Sequence, residues 1–268
     1  MCKKDNIAIN FTSETYKKWH EKYVNATNEK DLVEKNIRKH IFPLIPEKSN
    51  FLDIGAGDGN LTLRFLKDFK KTTVVEPIKE VKDTFINLGI EFINLNFQDT
   101  EINDKFDFIL CSQVFWLVER TNQKAFITKM RNLLSETGKL AIIMVSPIGQ
   151  SYDFYKRFFY NYDTTTHDIL IDLHEMNLKA EIIPIKFSFG TESFDDFFDI
   201  LKLFTVESWL HPNKKSSQEK LKKETIDIDS FTKTQLLGIE EFIKSNCKTI
   251  AGNFKMDEEI DIITVSRQ

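Results

Sequence analysis

Three glycines at alternate positions, in Asp53-Ile54-Gly55-Ala56-Gly57-Asp58-Gly59-Asn60, form the stretch of this chain best suited to holding a ligand. A turn between a strand and a helix uses glycine for two reasons: its backbone reaches angles that side chains disfavour, and a ligand can come close to the main chain. The spacing is G-x-G-x-G. It is neither the G-x-G-x-x-G of dinucleotide binders nor a P-loop, which ends in Gly-Lys-Ser/Thr. Glu76 follows at the end of the next apolar run, before Pro77. A carboxylate about 20 residues beyond such a turn can accept from both hydroxyls of a ribose. Gln98-Asp99 come after a third run and are placed to meet an adenine amino group, and Ser112-Gln113-Val114-Phe115 follow a fourth. The histidines His20, His40, His167, His174 and His211 show no metal-ligand spacing, and no serine or cysteine sits in a nucleophile-elbow pattern. The chemistry implied is that of cofactor binding without a metal.

These loops need a scaffold that brings them to one edge. The spacing predicts strands over Phe51–Ile54, Thr72–Val75, Ile90–Leu95, Phe106–Cys111 and Gly138–Val145. Helices are expected over Asn60–Phe69, from Pro77 to about Leu88, and over Asn122–Leu134. Nearly continuous apolar strands alternating with helices imply a parallel sheet covered on both faces, with ligand loops at the carboxyl ends of its strands. Before this core, Glu14 to about Ile41 reads as helix, interrupted at Asn25–Asn28. After it, a helix at Asp168–Met176 and a strand at Ala180–Ile185 precede a polar, helical stretch with a loop at His211-Pro212-Asn213, and Ile260–Val265 is a final strand. The expected organisation is one domain over 1–268. It comprises an N-terminal helical segment (1–47), a cofactor-binding core (48–190), a cap insertion (191–255) and the last strand (256–268). The cap and the N-terminal helix are expected over the carboxyl edge of the sheet, forming the acceptor pocket.

Composition excludes several classes. The 268 residues are 41% hydrophobic and 29% charged, an ordinary globular balance. Most of the 24 phenylalanines are expected in the core, with a minority lining an apolar pocket. A net charge of −4 disfavours a phosphate backbone as partner. Cys2, Cys111 and Cys247 are too scattered for a disulfide framework or a zinc site. No apolar run has the length of a membrane span, and no signal peptide opens the chain. A cytoplasmic monomer or weak dimer, acting on a small molecule away from nucleic acid and membrane, is the expectation.

With Asp53-Ile54-Gly55-Ala56-Gly57-Asp58-Gly59, Val75-Glu76-Pro77 and Phe106-Asp107-Phe108-Ile109 taken together, residues 48–146 resemble a class I S-adenosylmethionine-dependent methyltransferase. The resemblance implies an α/β fold, a doubly wound, mostly parallel, seven-stranded Rossmann-like sheet. It also implies a final antiparallel strand, a helical cap, and S-adenosylmethionine as cofactor. It places the cofactor at Asp53, Gly55, Ala56, Gly57, Gly59, Glu76, Pro77, Gln98, Asp99, Ser112 and Gln113. A weaker likeness is to histamine N-methyltransferase and its relatives, through Tyr23–Glu29, Ser112–Val118, Ile142–Ser146 and Tyr152–Tyr155. It implies Glu29 and Gln113 as the residues acting on the acceptor, an amine or imidazole nitrogen. Phe11, Tyr16, Glu29, Trp116 and Tyr155 would line the acceptor site. That family's substrate-contacting asparagine has no match, although Glu258 and Glu259 stand nearby. The alternatives are a nonenzymatic adenosylmethionine binder, or transfer to an oxygen, a carboxylate or a macromolecule. A nicotinamide-dependent dehydrogenase is disfavoured by the glycine spacing.

Overall fold

A computed structural model describes residues 8–9, 13–159, 164–210, 226–227, 233–247, 249 and 252–267. The chain divides into two compact units. One contains residues 29–147, 163–185 and 259–268; the other contains 1–28, 148–162 and 186–258. Phe11 and the loop expected at His211-Pro212-Asn213 lie outside the described residues.

The first unit is built on strands β2 (Asn50–Ile54), β3 (Lys71–Val75), β4 (Glu91–Ile93), β5 (Phe106–Ser112) and β6 (Leu134–Val145). All neighbouring pairs among these five are parallel. Strands β7 (Ala180–Thr191) and β9 (Phe254–Ser266) complete a seven-stranded sheet of order β4-β3-β2-β5-β6-β9-β7. Strand β9 runs antiparallel to β6, with Leu140 opposite Val265 and Ile142 opposite Ile263. Helices α2 (Glu29–His40), α3 (Asn60–Phe65), α4 (Lys82–Ile86), α5 (Gln123–Asn132) and α7 (Thr166–Glu175) belong to the same unit.

The sheet is buried on both faces, and the alternation of residues on β2 and β5 shows how. Phe51 and Phe108 stack at 5.4 Å and join Phe42, Phe65 and Phe69 in an aromatic cluster on one face. Leu52, Ile54, Ile109 and Cys111 turn the other way, into a second cluster with Phe126, Ile127 and Met130 of α5 and Ile169 and Leu173 of α7. This period of two, apolar on both sides, is what a central parallel strand requires. A register shift between Phe106 and Phe108 frees Asp107 from the ladder. Its carboxylate accepts from the backbone N–H groups of Ser49 and Asn50 at 2.9 and 3.0 Å and from the Ser135 hydroxyl at 2.8 Å. The start of β2 is thereby fixed in register against β5 and β6.

The order of strands locates the crevice. Chain connectivity leaves β2 toward β3 on one side, while β5 lies on the other. That reversal is the switch point at which open α/β sheets hold ligands, beyond the carboxyl ends of the strands. The loops after β2 and β5 therefore meet there.

The second unit is mainly helical: α1 (Glu14–Ala26), α6 (Gln150–Phe158), α8 (Phe194–Leu210) and α9 (Lys233–Phe242). A two-stranded antiparallel pair, β1 (Ala8–Ile9) with β8 (Ile226–Asp227), belongs to it as well. Helix α1 is capped by Ser13, whose hydroxyl accepts from the Tyr16 N–H. It packs on α8 through Tyr23, which meets Phe204 edge-on at 4.9 Å and Phe189 at 5.6 Å. The N-terminal helix and the segment after β7 are thus parts of one unit. Among the described residues no helix is long and apolar enough to cross a membrane.

Candidate functional site

The turn after β2 is tight. The Gly55 N–H donates to the Val75 carbonyl at 2.8 Å, and the Gly59 N–H closes onto Ala56 at 2.9 Å. Gly55, Gly57 and Gly59 all have positive φ, at 70°, 55° and 82°. A Cβ on Gly55 would lie 2.5 Å from a methyl carbon of Val114, so the turn after β5 sits directly on the glycine turn. A Cβ on Gly57 would meet nothing within 4 Å. Gly57 is therefore a cradle that a side chain would fill.

Glu76 is 4% exposed, yet both its oxygens are engaged. One accepts from the Gly57 N–H at 2.9 Å and the other from the Ile78 N–H at 2.8 Å. Burial pushes its carboxyl above the ordinary range, against the pull of these two donors. The carboxamide of Asn94, just past β4, donates to the carbonyls of Glu76 and Pro77, both at 2.9 Å. Asn94 escaped the sequence reading because a lone asparagine after a strand carries no distinguishing pattern. Gln98 and Asp99 are exposed on a helical turn at Phe97–Asp99. Lys129 of α5 holds that turn, donating to the carbonyls of Phe97, Gln98 and Thr100.

Asp53 lies beneath the glycine turn, 2% exposed, with the Thr62 hydroxyl donating to it at 2.6 Å. Burial, with a smaller push from the nearby Glu76 charge, raises its pKa to about 7. The folded protein therefore binds a proton at Asp53 that the unfolded chain has released. Stability from this group is fully present below its ordinary value of 3.8 and is lost as pH rises through about 7. Urea unfolding of the wild type should show a loss of about 1–4 kcal/mol between those limits that Asp53→Asn lacks. Parallel pH profiles for the two proteins would contradict this.

Ser112 ends β5 and Gln113 follows it. The Ser112 hydroxyl is buried without a hydrogen-bond partner. Gln113 has φ 56°, a left-handed conformation uncommon for a residue with a side chain, and its N–H donates to the Ile143 carbonyl at 2.9 Å. Trp116, three residues further, is half-buried against the core of the sheet. The buried Gln123 carboxamide holds this loop, donating to Val118 at 3.1 Å, Phe115 at 3.3 Å and the Thr164 hydroxyl at 2.8 Å.

Glu29 opens α2, buried at 3% exposure, with Lys30 paired to it at 3.0 Å. Helix α2 is tied to α3 by Arg64, which reaches Asp31 and Glu34, so Glu29 belongs to the unit that carries the glycine turn. Tyr16 and Tyr155 belong to the helical unit. The Tyr16 hydroxyl donates to Glu207 at 2.7 Å, and the Tyr155 hydroxyl to Glu258 at 2.9 Å. Burial lifts the Glu207 carboxyl to about 7. Glu207 had one signal in the sequence: it continues the apolar stripe of Ile200, Leu203 and Phe204 on α8, where a lone carboxylate is out of place.

Comparison with known proteins agrees with this fold. Residues 52–142 match a family described as a methyltransferase domain. An uncharacterized methyltransferase of Staphylococcus carnosus is 25% identical over 138 residues, 48% of this chain and 66%, just under two thirds, of that relative. Among solved structures, a Bacillus halodurans C-125 protein assigned as a methyltransferase superposes with a TM-score of 0.56 at 15% identity, covering 87% of this chain and 99% of its own. The plantazolicin methyltransferase BpumL, solved with S-adenosylhomocysteine, gives 0.55 at 14% identity, covering 96% and 92%. At these identities the superpositions establish the fold.

Proposed function

We propose that the protein is an S-adenosylmethionine-dependent methyltransferase, a reading supported by the match of residues 52–142 to a methyltransferase domain, and that it transfers a methyl group to a small-molecule acceptor at an amine or imidazole nitrogen. S-adenosylmethionine bound beyond β2 and β5 supplies an electrophilic methyl on a sulfonium. The residues there suit it: a glycine whose missing Cβ leaves open space, a carboxylate two donors deep in the fold, and a buried serine hydroxyl with acceptor and donor capacity to spare. On this reading Asp53, Gly55, Ala56, Gly57, Gly59, Glu76 and Pro77 form the ribose and amino-acid side of that site. Gln98, Asp99, Ser112 and Gln113 form the other.

The observation that carries the acceptor reading is Gln113, held at φ 56° in a turn that abuts the glycine turn through Val114. Such strain persists where the surrounding structure fixes it, and it concentrates at functional positions. A neutral nitrogen attacks a sulfonium methyl in line without a strong base; the new N–C bond takes the nitrogen lone pair as the S–C pair returns to sulfur. Gln113 aligns that nitrogen, because a near-attack geometry is the main thing such a reaction needs. Glu29 holds a positive charge elsewhere on the acceptor, and Trp116 keeps water out. The net charge of −4 supports a small acceptor over a nucleic acid, and the protein is read as a cytoplasmic monomer or weak dimer.

The test is a methyl-transfer screen over small amines, imidazoles, carboxylates and phenols with labelled cofactor. Nitrogen acceptors are expected to turn over, with activity rising with pH through the acceptor's own pKa, since protonation removes the attacking lone pair. Glu29→Gln should raise KM roughly tenfold and leave kcat nearly unchanged, because the charge contact exists in ground and transition state alike. Turnover confined to carboxylates or phenols would overturn the nitrogen assignment.

A further inference from the structure

Lys129 lies in the last turn of α5, beside the Phe97–Asp99 turn. Its ammonium donates to three consecutive-turn carbonyls: Phe97 at 2.7 Å, Gln98 at 3.0 Å and Thr100 at 2.6 Å. An ammonium has three protons, so these bonds use its full donor capacity. The same nitrogen lies 4.9 Å from the Phe97 ring centroid, and that ring packs edge-on against Phe126 of α5 at 5.0 Å. Burial depresses the Lys129 pKa, while Asp99 and Glu101 oppose the shift. Lys129 is partly buried, and its ammonium is spent on three carbonyls with no ion pair to a carboxylate among the described residues, so it gives up part of its hydration to fasten a surface turn.

We propose that Lys129 is a positioning residue for cofactor recognition. By gathering the carbonyls of Phe97, Gln98 and Thr100 on its own side, it fixes the peptide planes of the turn. The polar groups of Gln98 and Asp99 then face the adenine in one orientation. The charge does this where an apolar residue would not, because three converging carbonyl dipoles repel one another without a cation between them. This rests on the reading that the turn after β4 borders the adenine. It adds that the turn's selectivity is set from α5, by a residue that never touches the ligand.

The experiment is calorimetric titration of the full chain with S-adenosylhomocysteine and with S-inosylhomocysteine, in which the adenine amino group is replaced by oxygen. Wild type is expected to prefer the adenine compound. Lys129→Met, which keeps the stem and loses the charge, should weaken S-adenosylhomocysteine by about tenfold and the inosine compound by less than about twofold, so that discrimination collapses. Lys129→Gln keeps two donor protons on a shorter stem. It should lose most of the discrimination with an unchanged melting temperature, which covers the case in which the methionine variant does not fold. Equal weakening of both ligands, or discrimination like wild type in a folded variant, overturns the proposal. Failure of the wild type to bind S-adenosylhomocysteine at all overturns the cofactor reading beneath it.

Discussion

Gly57→Ala is expected to lower S-adenosylhomocysteine affinity by at least about a hundredfold while costing only about 1 kcal/mol of stability. The two effects separate because of where the added carbon goes. At φ 55° an alanine sits in the left-handed region, at a cost of roughly 1 kcal/mol, and its Cβ meets no protein atom within 4 Å. The protein has room for that methyl group; on the proposed reading the ligand approaches this backbone closely and does not. Gly55→Ala is the contrasting control. Its φ of 70° carries the same penalty, but its Cβ would lie 2.5 Å from Val114, so the turns after β2 and β5 must part. That variant should lose roughly 3 kcal/mol or more of stability together with binding, as overpacking and strain add. Urea unfolding and calorimetry on the same preparations distinguish the two. Binding by Gly57→Ala within about threefold of wild type would move the ligand away from this turn.

The contrast between these two glycines also marks how far sequence can be read. Spacing was enough to place Gly55, Gly57 and Gly59 at a strand-to-helix turn, and Glu76 at the end of the next strand, because both follow from a local pattern of apolar runs and turn residues. The antiparallel last strand was legible for the same reason, although β9 begins at Phe254 and β7 extends to Thr191, beyond the apolar runs that announced them. Their extra residues alternate between buried and exposed, a weaker signal than a continuous run. What spacing could not supply was anything fixed by contacts between distant segments. That Gly55 is glycine because of Val114, and Gly57 for another reason, needs both turns in place. Lys129 and Gln123 look like ordinary residues of an amphipathic helix. Their roles appear only when α5 is laid beside the loops after β4 and β5. Tyr16 and Tyr155 stood out as aromatics, but their partners Glu207 and Glu258 are 191 and 103 residues away in sequence.

Those α5 contacts bear on how the site keeps its shape. Two side chains of one helix, Gln123 and Lys129, fasten the loop after β5 and the loop after β4 respectively. The same helix is packed into the sheet through Phe126, Ile127 and Met130, all buried. Loop geometry is thereby referred to the core instead of being left to the loops, the arrangement expected where reacting atoms must be held closely. Arg120 adds to it, pairing with the buried Asp172 of α7 and donating to Gln123 at 3.0 Å.

Glu76→Ala should weaken cofactor binding by about 1–3 kcal/mol, and the structure gives two sources for that loss. The first is direct. Each carboxylate oxygen already accepts one backbone N–H, from Gly57 and from Ile78, but an ionised carboxylate has about four acceptor positions. Ribose hydroxyls can therefore be accepted without breaking either bond. The second is indirect: removing the carboxylate frees the Gly57 N–H, which helps to set the turn. Glu76→Gln separates these. It restores the volume, yet it turns an NH2 group toward one of two backbone N–H donors, so it should bind nearly as poorly as Ala. Titration gives a third signature. Burial holds the Glu76 carboxyl above its ordinary value of 4.5 in the free protein, whereas accepting hydroxyls favours the ionised form. Ligand binding therefore releases a proton from Glu76 at pH values between the bound and free pKa. Affinity for S-adenosylhomocysteine should rise with pH through that window and level off above it. Asp53, whose pKa near 7 is itself raised in part by Glu76, would respond to the same charge, so the comparison is made in an Asp53→Asn background. In that background Glu76→Gln should flatten the pH dependence of affinity, measured by calorimetry in buffers of differing ionisation heat. An unchanged pH dependence, with affinity like wild type, would take Glu76 out of the binding site and leave it as a fastening for the turn.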